Sequence, residues 1–469
     1  MKNNPTYRGL LTLCRLLTCT ILTAVAFSSC ESFVDIDAPS EQLQGATVYE
    51  DAGTATAALT AIYSALQRNT LVSGGSNGLS ILMGSYADEL TSYSNYGLPE
   101  EVFFTNNLQP DDQAVLALWS ESYSLIYASN AVIEGVENST NITQPDKEIL
   151  VGEALFVRSY IHFYLMQLFG DVPYVTQTNY RINSTISKTD AVTLYSLLAT
   201  DLVQAIALLP ANYADPLRVR PNRSVANALL ARVYLYSGAY GDAADAAAQV
   251  ISNSELYSMA SNLEEVFLIS SPSTLWQLMP PSGNMNTLEG QHFIFNSGPP
   301  PARALSPSLY NAFEPGDLRR QHWVGTVSDG ADNWHYPFKY RQSSTTGASQ
   351  EYSVQFRLEE MYLIRAEALA WMGNLDGARQ DLNAIRNRAG LGNTPIADTD
   401  GLLEAILKER RVEFFTEHGH RFFDLKRTNQ LDAHLAGTKP GWNATDSSLP
   451  LPQIELSLNS NLLPQNPGY

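Results

Sequence analysis

A chain of 469 residues with 44% hydrophobic and only 16% charged side chains can bury a large core and does not have the composition of a disordered polymer. Its formal charge of −19 disfavours nucleic acid and anionic membrane surfaces and favours neutral or cationic ligands. Three cysteines in this length exclude a disulfide scaffold.

The first element is a secretion signal over residues 1–29. Lys2, Arg8 and Arg15 precede an apolar run from Leu16 to Phe27, which is followed by Ser28, Ser29 and Cys30. An apolar run of about 12 residues is too short for a bilayer, which needs roughly 20. Cleavage before Cys30 makes its thiol the first mature group, so Cys30 is the expected lipidation site. Cys14 and Cys19 leave with the signal, and the one remaining cysteine can form neither a disulfide nor a thiolate metal cluster within a monomer. The three cations leave too, taking the formal charge from −19 to −22. Membrane attachment is therefore expected through lipid alone. Residues 30–45, polar and carrying Asp35, Asp37 and Pro39, read as a tether, and residues 46–469 as a single domain.

Ala46 to Gln67 has helical composition, and Ser73 to Gly78 breaks the pattern. Ser85 to Asn107 sets Tyr86, Tyr93, Tyr96, Phe103 and Phe104 among turn residues; such loop aromatics either plug onto a core or form a stacking surface. Gln113 to Glu137 is the second helix. The third, Val151 to Phe169, spreads Glu153, Arg158, Ser159, His162 and Gln167 around all faces at 100° per residue, so it is expected to be packed on most sides. Gly170 and Pro173 stop it. Ala191 to Leu209, ahead of Pro210, is the fourth.

Ser224 to Asn253 is rich in alanine and turns at Gly238-Ala239-Tyr240-Gly241, the pattern of an αα-hairpin with closely approaching helices. Leu358 to Ala389 repeats it. Aligning Gly373 with Gly238 pairs Ala231 with Ala366 and Ala243 with Ala378. Two such copies resemble tetratricopeptide repeats and, with two earlier helix pairs, point to a superhelical stack. Between them, residues 255–352 have little helical period and many Pro, Gly and aromatic residues, and are expected to face the ligand. Leu402 to Glu417 is a charged helix running into His418-Gly419-His420.

Four stretches then carry a resemblance to the SusD/RagB family of outer-membrane nutrient-binding lipoproteins. They are the signal ending at Cys30, Glu153 through Tyr174, the block from Arg410 to Arg427, and the end from Leu451 to Tyr469. Phe27, and the histidines flanking Gly419, are the main departures. The resemblance implies a mainly α protein, a tetratricopeptide-like α-superhelix of four helix pairs with a large irregular loop-rich side that binds ligand. It also implies a partner, a SusC-like TonB-dependent outer-membrane transporter, and a ligand, a neutral oligosaccharide or polysaccharide. Members that take peptides or other small nutrients, or that serve as a transporter lid with little affinity of their own, are the alternatives.

No enzyme or cofactor is expected. Asp88-Glu89 and Glu359-Glu360 are adjacent residues pointing about 100° apart on a helix, which suits capping or solvation better than paired carboxylate catalysis. His418 and His420 lack further ligands at metal spacing, and no phosphate-cradling or nucleophile-elbow motif occurs. Sugar binding needs flat apolar faces beside amides and carboxylates. Two segments offer these: Tyr86, Tyr93, Asn95 and Tyr96, and, with His322 nearby, Trp323, Asp332, Asn333, Trp334 and Tyr336. The resemblance places ligand contacts in both regions, by region only.

Overall fold

Nine helices of twelve residues or more organise the computed structural model, which describes residues 47–68 and 70–469. The signal, Cys30 and the tether over 30–45 lie outside the described residues. The helices are α1 (Ala52–Arg68), α2 (Gln113–Asn138), α3 (Gln144–Phe169), α4 (Ala191–Leu208), α5 (Arg223–Ser237), α6 (Tyr240–Ile251), α7 (Leu358–Trp371), α8 (Leu375–Arg388) and α9 (Thr399–Glu413). Each packs on its successor. The result is four consecutive helix pairs closed by α9, the tetratricopeptide-like superhelix expected from the repeats. Gly238 and Gly373, aligned in the sequence, both adopt φ +80° at the turns of their hairpins, a left-handed conformation that favours glycine.

α3 is the centre of the stack. From Leu150 to Phe169 every residue is buried, and the polar side chains other than Ser159 find partners inside. Glu153 accepts from Arg220 at 2.7 Å and from the Tyr63 hydroxyl at 2.5 Å. Arg158 donates to Asp201 at 2.6 Å and to Asn130 at 2.9 Å. His162 Nδ1 lies 2.9 Å from the Arg158 carbonyl while its Nε2 accepts from the Val175 amide, and burial pushes this imidazole down to about 3. By length and composition α3 could cross a membrane; here its apolar faces are the core of a helical stack. It begins at Gln144, seven residues ahead of the sequence expectation, because Thr143 caps the Asp146 amide in a Thr-x-x-Asp arrangement.

Six short strands make three antiparallel ribbons: β1 (Leu90–Ser92) with β3 (Arg303–Leu305), β2 (Thr274–Leu278) with β6 (Ser353–Arg357), and β4 (Val324–Ser328) with β5 (Asn333–Pro337). The β2/β6 ribbon is buried at every position. Its Trp276 and Phe356 pack on Tyr160 of α3 with ring centroids 5.3 and 5.6 Å apart. Residues 255–352 are thus not uniformly a ligand face: this ribbon, and a second core cluster of Phe267, Phe293, Trp323 and Tyr340, are interior. The stretch from Ser85 to Asn107 is likewise only partly loop, since Pro99–Phe104 forms a helical turn with Pro99, Glu100 and Glu101 at its start, residues suited to a first turn.

Buried ion pairs bind the ribbons to the helices. Glu413 at the end of α9 meets Arg319, Arg357 and Arg388 at 2.8, 2.5 and 2.5 Å. Glu417 holds Lys339 and Arg357. Arg410 reaches Asp424 at 2.7 Å, and Arg427 pairs with Glu367 and Asp424. The Arg410-to-Arg427 block is therefore a clamp between layers. His418 and His420 lie inside it, His418 Nε2 2.9 Å from the Val354 carbonyl and His420 against the Phe414 ring.

Candidate ligand-binding site

The β1/β3 ribbon leads directly into the first aromatic loop. Tyr93 donates its amide to the Ala302 carbonyl at 2.6 Å, extending the pairing one residue past β1. Asn95, Tyr96, Gly97 and Leu98 then form a turn closed by the Leu98 amide on the Asn95 carbonyl at 3.2 Å. Gly97 takes φ +81°, the third turn position that needs a positive φ. Tyr96 is left at the tip, 92% exposed, with Tyr93 41% exposed behind it. The loop is anchored from below: Arg303 of β3 holds Glu100 through two contacts of 2.7 and 2.5 Å, and the Ser94 hydroxyl donates to Glu100 at 3.2 Å.

The β4/β5 ribbon lies beside it, β5 against β3. Strand alternation puts Trp334 and Tyr336 on one face of β5 and Asn333 and His335 on the other. His335 stacks on Tyr310. Trp334 lies over Gly298, where any Cβ would run into the indole, and Tyr336 lies over Gly325 in the same way. Phe295 packs against Tyr336 with centroids 5.1 Å apart. Both rings are half-buried and, among the described residues, neither has an arginine or lysine over its face, in contrast to Tyr310 under Arg320. The turn of the hairpin is fixed by Asp329, whose carboxylate accepts the amides of Ala331 and Asp332 at 2.9 and 2.8 Å, and it leaves Asp332 and Asn333 exposed.

Tyr93, Asn95 and Tyr96 thus stand on the loop leaving one ribbon and Trp334 and Tyr336 on the adjoining one, with residues 296–302 between. Partly exposed aromatic rings with, among the described residues, no cation over their faces, beside an exposed amide and carboxylate, suit the C–H faces and hydroxyls of an uncharged polyol. Two expected residues are corrected. Tyr86 is fully buried among Phe103, Phe422 and Trp442 and donates its hydroxyl to the Asp446 carbonyl. Trp323 is 1% exposed, donates Nε1–H to the Leu263 carbonyl at 2.9 Å, and receives Lys339 over its ring. Neither has surface to offer a ligand. Asn333 shares the hairpin with Trp334 but faces away from it. The segment 296–302, which seats Trp334, falls within the expected ligand face, but none of its residues is singled out there although its Gly298-Pro299-Pro300-Pro301 run marks a fixed turn.

Residues 41–235 match a family described as "Starch-binding associating with outer membrane", and residues 324–469 match the SusD family. The chain is 27% identical over 450 aligned residues to the SusD-like protein P2 of Formosa agariphila, covering 83% of this chain and 87% of that one. A second SusD-like protein of that organism is 22% identical, over 94% of this chain and 97% of its own length. Among solved structures, a SusD superfamily protein from Bacteroides vulgatus superposes with a TM-score of 0.80 at 20% identity, covering 90% of this chain and all of its own. A laminarin binding SusD-like protein superposes with a TM-score of 0.76 at 23% identity, with the same coverage.

Proposed function

Since the chain belongs to the SusD/RagB family, we propose that it is a surface-exposed outer-membrane lipoprotein, anchored through Cys30, that binds a neutral oligosaccharide or polysaccharide and passes it to a SusC-like TonB-dependent transporter. The role is binding rather than catalysis. The observation that carries the glycan reading is the juxtaposition of Tyr93, Asn95 and Tyr96 with Trp334 and Tyr336 on adjoining ribbons. A laminarin-binding protein of the same fold supports the ligand class. The match to a family described as starch-binding and associating with the outer membrane supports the location, and the partner is what membership of the SusD family implies.

Calorimetry against a panel of neutral polysaccharides headed by laminarin and soluble starch tests the ligand. Trp334→Ala is expected to weaken binding by about 1–3 kcal/mol, the scale of an anchoring aromatic, with the melting transition unmoved. Affinity unchanged by that substitution takes Trp334 out of the site. A peptide library that binds where no glycan does replaces the glycan with the peptide reading. Membrane fractionation tests the anchor: Cys30→Ser is expected to move the protein into the soluble fraction, and retention in the membrane would overturn lipidation.

A further inference from the structure

A second cleft, of about 840 Å³, opens on the helical side of the molecule. Its walls are the α5–α6 turn, the end of α7, the outer face of α9, and residues 421–434; none of the loop aromatics from Tyr93 to Tyr96 or from β5 lines it. At its mouth Tyr240, the first residue of α6, stacks on Trp371, the last residue of α7, with centroids 5.2 Å apart and planes 9° from parallel. Trp371 is still 49% exposed, and Met372 beside it 56%. A stacked partner on one side fixes the indole in place and leaves its other side open, so little rotamer freedom is lost when something flat settles on it.

The polar lining narrows what that can be. The arginines of the cleft are already paired: Arg411 and Arg421 hold Asp88 at 2.7 and 2.8 Å, and Arg427 is held by Glu367 and Asp424. An anionic ligand would find no unpaired guanidinium among them, and the exposed Lys408 of the lining has the Glu314 carboxylate 3.4 Å away. The exposed carboxylates Asp400 and Glu404, the exposed Asn429 amide and Gln430, whose carbonyl oxygen lies 3.2 Å from His434 Nε2, are the groups that meet hydroxyls. A half-exposed, stacked indole in a cleft lined by amides and carboxylates suits the chemistry of an uncharged sugar ring.

We propose that this cleft is a second carbohydrate site, with Trp371 as its stacking platform. The proposal rests on the glycan reading of the first site and adds a second contact for the same class of polymer. Two sites on one rigid scaffold let a long chain engage both, so a polymer binds more tightly than its fragments without any new contact.

Calorimetry with laminarin, soluble starch and their short oligosaccharides separates the two sites. The unaltered protein is expected to bind two short oligosaccharides and Trp371→Ala one, with polymer affinity falling by roughly tenfold or more. Trp334→Ala likewise removes one site, and the double substitution removes both. Because a substitution can disturb its surroundings, hydroxyl-radical footprinting of the unaltered protein gives a second measurement: the bound oligosaccharide should protect Trp371 from oxidation. If binding is lost with Trp334→Ala, unchanged with Trp371→Ala, and Trp371 stays unprotected, the second site falls and the first stands. If no glycan binds the unaltered protein, both fall.

Discussion

Glu89 sits beside the candidate site yet has no surface: it is 1% exposed and accepts the Thr416 amide at 3.2 Å. Burial, reinforced by neighbouring Asp88, pushes its carboxyl from an ordinary 4.5 up to about 8. A folded value above the unfolded one means that its contribution to stability is full below pH 4.5 and is lost as pH rises toward 8. The slope across that window approaches about 1.4 kcal/mol per pH unit. Glu89→Gln keeps an acceptor for Thr416 and cannot ionise. The variant is therefore expected to gain on the unaltered protein steadily between pH 4.5 and 8, with no further change below that range. Denaturant melts at several pH values measure the gap; a gap that stays constant would mean that Glu89 titrates normally. The Asp88-Glu89 pair read in the sequence as a capping or solvated dyad is in fact split, Asp88 salt-bridged to Arg411 and Arg421 and Glu89 enclosed. That distinction depends on tertiary neighbours more than 300 positions away and has no local signature.

Among the elements, helices were legible and ribbons were not. α2, α4 and both αα-hairpins stand within two residues of their expected bounds, because 3.6-residue periodicity, alanine spacing and terminal glycines are local signals. The ribbons pair Leu90 with Leu305 and Thr274 with Arg357, so their registers are set by contacts between distant segments. For the same reason Tyr96 and Trp334 could be named from their loop composition, while Tyr86 and Trp323 could not be told apart from them: an aromatic beside turn residues looks the same whether it faces water or core. The ribbon that joins the two loops makes a prediction of its own. Arg303 and Glu100 are both nearly buried, and Arg303→Met leaves the Glu100 charge unpaired, at a cost of about 3–5 kcal/mol. Adding Glu100→Gln should recover most of that cost. Thermal melts of the two variants check the stability, and calorimetry of the single variant is expected to show weaker glycan binding because the Tyr93-to-Tyr96 loop loses its footing. A single variant that melts like the unaltered protein would mean that the pair holds nothing in place.

At the scale of the whole molecule, the irregular layer is attached to the helical stack by buried charge as well as by the apolar contacts of Trp276 and Phe356. Arg319, Lys339 and Arg357 come from the ribbon side, and Glu413 and Glu417 from the end of α9 and the residues after it. Burial alone would raise Glu413, but Arg388, Arg357 and Arg319 hold it well below 4.5; Glu417, buried too, is lowered by Arg357 and Lys339. A folded value below the unfolded one supplies stability that is present above pH 4.5 and is lost as pH falls beneath it. Because these carboxylates share their cations, protonating one strands charge on the next, and the acid transition should be steep. Glu413→Gln is expected to destabilise the protein at pH 7 by about 3–5 kcal/mol, the cost of breaking a buried pair from one side, and to flatten the acid limb by removing one titrating group. Acid titrations followed by far-ultraviolet circular dichroism compare the two. Parallel acid limbs would place the acid sensitivity elsewhere, in pairs such as Asp88 with Arg421 and Asp424 with Arg410, whose carboxyls are held low by the same balance of burial against a neighbouring guanidinium.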